Sequence, residues 1–101
     1  MLAACERTAK FVHGAALADY ESNDLLRSAV ERQIEIIGEA ARRVSPALRE
    51  KHPHIAWRPI IAQRHILAHE YGDIEARLIW RVATVHVPAL ATQLRDLISE
   101  C

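Results

Sequence analysis

DLLRSAVERQIEIIGEAARRV, residues 24–44, decides the fold. Its positions Leu26, Val30, Ile37, Ala40 and Val44 step along the chain by fours and threes, with Gln33 the polar exception in the series. Such spacing lays one stripe of a long α-helix against its neighbours. Ile34, Ile36 and Ala41 widen the stripe, so the helix is expected to meet more than one partner, and one of these can belong to a second copy of the chain. Ser22 or Asn23 offers an N-cap oxygen, and Asp24 places an acid in the first turn.

The flanking sequence repeats the helical pattern. On the N-terminal side a helix is expected from Leu2 to Val12, with Leu2, Cys5 and Ala9 plus Phe11 or Val12 on its core face and a stop near Gly14. Gly14 to Glu21 reads as irregular. On the C-terminal side Ser45 and Pro46 fit the N-cap and first position of a short helix that ends before His52 and Pro53. A third main helix starts near Trp57, tolerates Pro59 in its first turn, and runs to about Tyr71, where Gly72 supplies a left-handed stop. Asp73 caps a last helix through Ile74, Leu78, Val82 and Val85, which Pro88 must kink or restart before Leu90, Leu94 and Leu97. Half of the residues are apolar, only 3 are Gly, and no stretch alternates as a strand would. The expectation is an all-α fold over residues 1–101: an antiparallel helical bundle of four main helices plus a short helix, the last one kinked.

Bulk properties exclude several classes of function. The chain carries 13 Lys and Arg against 13 Asp and Glu, so no global field draws it to nucleic acid or to a membrane. Cys5 and Cys101 lie near opposite ends and make no disulfide framework. The longest uncharged run, Val82 to Leu94, falls short of the roughly 20 residues a bilayer span needs. With no signal segment evident either, the chain reads as a cytoplasmic protein with no membrane partner.

Polarity gathers where a helix should be burying Ile and Leu, in QRHILAHEYGD, residues 63–73. Arg64 and Tyr71 fall about 20° apart on a helical wheel, whereas Arg64 and His69 are separated by about 140°. Cooperation between Arg64 and His69 therefore calls for an Arg side chain that leans about a turn, fraying before Gly72 that rotates His69, or a second copy across a two-fold axis, and the dimer is the natural way to achieve it. The chemistry suits phosphate: an imidazole moves protons near neutral pH, and a guanidinium grips and stabilises anionic oxygens. A polar patch on a solvated helix is the competing reading. Metal is a third: His65 and His69 have i, i+4 spacing with Glu70 and Asp73 nearby, but HILAH holds no glutamate and no Cys is close. No metal is expected. Arg42, Arg43, Arg49, Lys51, Arg58 and Arg64 face only Glu50 within their tract, so a neutral chain can still present a basic side to RNA, for which Arg42, Arg43 and Arg58 are the candidates.

At this point the residues resemble a known family. IIGEAARRVSPALREKHPHIAWRPIIAQRHILAHEYGDIEARLIW, residues 36–80, is similar to the central part of HepT-type toxins, which belong to the HEPN group of helical ribonucleases. The likeness rests on IEIIGEAARRVSPALR, on the helix start at Trp57, on the R-x4-H-x-Y motif Arg64, His69 and Tyr71, and on LIWRVATVHVPAL. The resemblance implies a homodimer whose paired Arg64 and His69 line a cleft and cut RNA, tRNA among the candidates, without metal or cofactor. It further implies a type VII-like toxin–antitoxin system. The partner would be an MntA-type nucleotidyltransferase antitoxin, which uses ATP to place AMP on Tyr71. His65 stands where the family commonly has a small polar residue such as Asn, and this departure bears on catalytic competence rather than on fold. His65 and Glu70 are accessory candidates. The rival reading is a non-catalytic helical subunit that only docks to a nucleotidyltransferase.

Overall fold

The structure, a computed structural model, describes residues 1–69 and 76–99, and for 64–69 the backbone alone. Among the described residues every regular element is a helix: α1 (Leu2–Val12), α2 (Leu17–Ser22), α3 (Asp24–Arg42), α4 (Pro46–Lys51), α5 (Trp57–His69), α6 (Ala76–Arg81) and α7 (Val87–Ser99). A five-residue π-helical segment, Val82–His86, joins α6 to α7 into one rod. None of the described helices is long and apolar enough to cross a membrane.

The long helix α3 is the shared wall of two apolar clusters. Its C-terminal half gives Ile37 and Ala41 to a cluster with Ala4 and Cys5 of α1, Ile55, Trp57 of α5, and Val87, Leu90, Ala91 and Leu94 of α7. Its N-terminal half gives Val30 and Ile34 to a second cluster with Tyr20, Ile79 and Ala83, edged by Phe11, Val12 and Trp80. The start of α1 thus lies against the end of α3, and the end of α1 against its start, so the two run antiparallel. The start of α5 likewise packs at the C-terminal half of α3, and the α6–α7 rod runs alongside α3 in the same direction. A fully buried side chain such as Ile79, 1% exposed, contributes about 1.5–3 kcal/mol through its lost water contact.

The details correct several expectations. The buried stripe of α3 passes through Val30, Ile34, Ile37, Gly38 and Ala41, leaving Leu26, Ala40 and Val44 half-buried, and the helix ends at Arg42. On α1 the core face is Ala4, Cys5 and Thr8, whereas Ala9 is exposed. Thr8 can be sealed inside because its Oγ1 donates to the Ala4 carbonyl at 2.8 Å. The stretch expected to be irregular contains α2. Its first turn is held by the Ala16 N–H donating to Asp19 Oδ2 at 2.8 Å, and Tyr20 is completely buried against Trp80, with ring centroids 5.3 Å apart. Gly14, at φ 77, makes the turn before it.

Other expectations hold. Asn23 caps α3 through Leu26 N–H at 3.0 Å, and Ser45 caps α4 through Leu48 N–H at 3.2 Å, with Pro46 in first position. The chain is interrupted before Pro88 by a widened turn: the Val87 N–H donates to Val82, five residues back. Pro88 has no N–H, and in a regular helix its ring would crowd the Thr84 carbonyl. The wider turn relieves that crowding, while Thr84 Oγ1 donates to the Trp80 carbonyl at 2.8 Å where the ladder changes register. The stop at Gly72 and the cap at Asp73 lie outside the described residues, as does Cys101. Cys5 is a buried free thiol, pushed up to about 11 mainly by its burial.

Candidate functional site

Helix α5 carries the Arg64 and His69 positions of the motif, and its start is fixed by Trp57. The indole, 7% exposed, donates from Nε1 to the His52 carbonyl at 3.0 Å and ties the α4–α5 connection to the helix it introduces. Ile60 and Ile61, one turn on, pack against the first cluster and hold α5 along α3. From this anchored end the backbone stays helical through Arg64, His65 and His69. His69 therefore keeps its helical register, and α5 alone separates the Arg64 and His69 positions by about 140°. The backbone is thus not frayed up to His69, while the helix end before Gly72 lies outside the described residues. Tyr71 and Glu70 lie outside the described residues, and so do the side chains of Arg64, His65 and His69.

The three arginines singled out for RNA differ in their surroundings. Arg42 makes a two-pronged pair with Glu39, Nη2 to Oε1 at 2.6 Å and Nε to Oε2 at 3.3 Å. Arg43 shares the same carboxylate, its Nε reaching Oε1 at 3.2 Å. Glu39 stands just upstream of the basic tract that begins at Arg42, so part of that local positive charge is balanced. Both guanidinium groups remain largely exposed, at 59% and 75%. Arg58 is exposed in the first turn of α5. Arg49 instead braces the fold, its Nε donating to the Val44 carbonyl at 3.2 Å just beyond the end of α3.

A groove of about 390 Å³ opens beside α5, between its first two turns and the α6–α7 rod. Ile34, Ile37, Ile60, Leu78, Val82 and Leu90 form most of its walls, and His54, Gln63, His86 and Gln93 supply its polar groups. Gln93 Nε2 donates to the His54 carbonyl at 3.2 Å and closes one end of the rim. The Gln63 Nε2, by contrast, is buried without a hydrogen-bond partner among the described residues. Nothing in the sequence pattern marked His54, His86 or Gln93. The break imposed by Pro88 was the only available hint, because π-helical turns often accompany functional sites. Among the described residues no three His, Cys, Asp or Glu side chains cluster as metal ligands.

Helical architecture and motif together define a HEPN-like ribonuclease scaffold. The family model described as ribonuclease HepT-like matches residues 1–97, and the chain belongs to that family. A provisionally named RNase of Caldanaerobacter subterraneus subsp. tengcongensis is 32% identical over 100 residues, covering 99% of this chain and 89% of the relative. Another, from Methanocaldococcus jannaschii, is 36% identical over 76 residues, or 75% of this chain and 70% of the relative. The probable ribonuclease HepT of Thermococcus cleftensis is 29% identical over 94 residues, 93% and 86% of the two chains. No solved structure matches.

Proposed function

We propose that this chain is the toxin of a type VII-like toxin–antitoxin pair: a cytoplasmic, homodimeric endoribonuclease that cuts RNA without metal. The observation that carries the reading is the R-x4-H-x-Y motif in a chain of the HepT-like ribonuclease family, its Arg64 and His69 positions lying on an α5 that remains helical through His69. His69 takes the proton of a ribose 2′-hydroxyl as its oxygen attacks the neighbouring phosphorus. The bond to the 5′-oxygen breaks, leaving a 2′,3′-cyclic phosphate and a 5′-hydroxyl. Arg64 steadies the charge that builds on the phosphoryl oxygens. The departing oxygen takes a proton from a second group, for which His65 is a candidate in this chain. Arg58, with Arg42 and Arg43 from their Glu39 pairs, holds flanking phosphates.

Control comes from a nucleotidyltransferase antitoxin of the MntA type: the Tyr71 oxygen, losing its proton, attacks the α-phosphorus of ATP, the α–β phosphoanhydride bond breaks, and pyrophosphate leaves as AMP is attached. The attached phosphate brings negative charge to a site built for RNA phosphate and repels the substrate. Purified wild-type dimer is expected to cleave labelled RNA in EDTA and to leave cyclic phosphate ends. His69→Ala should lower the rate by about 10²–10⁴-fold, the usual worth of a general acid or base. RNA left intact by folded, dimeric wild-type protein would defeat the ribonuclease reading and favour a docking subunit without catalysis.

A further inference from the structure

The groove beside α5 has the complementary character of a base rather than of a phosphate. Its walls are apolar, and its polar groups are the imidazoles of His54 and His86 and the carboxamides of Gln63 and Gln93. No Asp or Glu is among the described residues that line it. A cavity of about 390 Å³ with a few polar groups converging on apolar walls is the usual form of a small-ligand site. A nucleobase presents two apolar faces and an edge of donors and acceptors, the counterpart of such walls and rim. Histidine rings commonly stack on unpaired bases.

Gln63 supplies the polar observation. Its Nε2 is sealed from water with no partner among the described residues, a condition that costs free energy in the empty protein. The amide regains a hydrogen bond by turning toward any acceptor that enters the groove. Gln63 directly precedes Arg64 on α5, so the groove lies on the same stretch of helix as the position proposed to handle phosphate. The π-helical segment contributes Val82 and His86 to the opposite wall, which ties the irregular turn to the same cavity.

We propose that this groove is a nucleobase subsite, in which Gln63 hydrogen-bonds the edge of a base of the RNA, with adenine preferred. A glutamine carboxamide matches the paired ring acceptor and amino donor of adenine with both its groups. The identity of the ligand as RNA rests on the ribonuclease reading, whereas the base-binding chemistry is measured independently of cleavage.

The test is titration of isotope-labelled protein with adenosine 3′-monophosphate, the other three 3′-mononucleotides and inorganic phosphate, followed by NMR. The adenosine nucleotide should shift the groove amides and the Gln63 side-chain NH₂ most strongly, and phosphate alone should leave them in place. Gln63→Leu should weaken nucleotide binding at least tenfold while the melting temperature stays level or rises, because a buried Nε2 with no partner among the described residues has gone. Should that variant fail to fold, Ala89→Trp, which fills the groove from its exposed rim, should abolish binding in its place. Three outcomes would overturn the proposal: groove shifts reproduced by phosphate, full affinity in both variants, or groove signals that follow protein concentration and ignore nucleotide, as a second copy would produce. Nucleotide binding without RNA cleavage upholds the subsite and removes the ribonuclease reading. Cleavage without nucleotide binding does the reverse.

Discussion

Glu31 shows how far a single residue on α3 can govern stability. Its carboxyl is raised above the ordinary 4.5, first by burial, with Arg27 pulling it down and Glu35 adding to the rise. The same charge helps burial to raise Tyr20, whose hydroxyl has no hydrogen-bond partner among the described residues. For a carboxyl raised in the folded state, the protonated form favours folding. That contribution is complete below the unfolded value of 4.5 and is lost as pH rises through the higher folded value. Glu31→Gln is therefore expected to melt above the wild type at pH 7, with the gap narrowing below about pH 4.5. Thermal melts at the two pH values decide it, and a gap of equal size at both would contradict the cause given. At this scale the sequence was least informative. Thr8 lies inside because of a bond to its own helix, and Ala9 lies outside although its apolar character placed it on the core face.

Helices α3 and α4 were legible because their ends are written in local chemistry. Asn23, Ser45 and Pro46 fill the positions that their side chains suit, whatever the rest of the chain does. Ser45→Ala should accordingly cost about 1 kcal/mol, since the Leu48 N–H loses its acceptor. In a domain of this length that corresponds to a fall in melting temperature of about 4–8 °C, with Ser45→Asp retaining most of the stability. Helix α2 was not legible, because a six-residue helix has little stability of its own and, unlike α4, no Ser-Pro start marks it. What forms it is the burial of Tyr20 against Trp80 and α3, a tertiary cause invisible to local pattern. Pro88 announced an interruption correctly but not its form. A proline requires only that the regular ladder fail, and the neighbouring core positions Ile79, Ala83, Val87 and Leu90 decided that the rod would continue through a π-helical turn.

For the molecule as a whole, the bundle followed from the spacing of its apolar residues, and membership of the family followed from ordered motifs. The groove did not, because four polar residues spread from His54 to Gln93 meet only through the packing of α5 against α3 and the course of the rod. The proposed control by a partner enzyme also belongs to this scale. Co-expression with an MntA-type nucleotidyltransferase should add AMP to the intact mass, and Tyr71→Phe should carry no addition. A modified Tyr71→Phe protein would place the acceptor elsewhere. Val82, finally, borders both apolar clusters and also lines the groove. A guest in that groove bears on the seam between the two halves of the interior. By linkage, whatever prefers the intact seam is held by the folded chain and in return makes unfolding harder. Ligand occupancy and folding are thus two readings of one equilibrium.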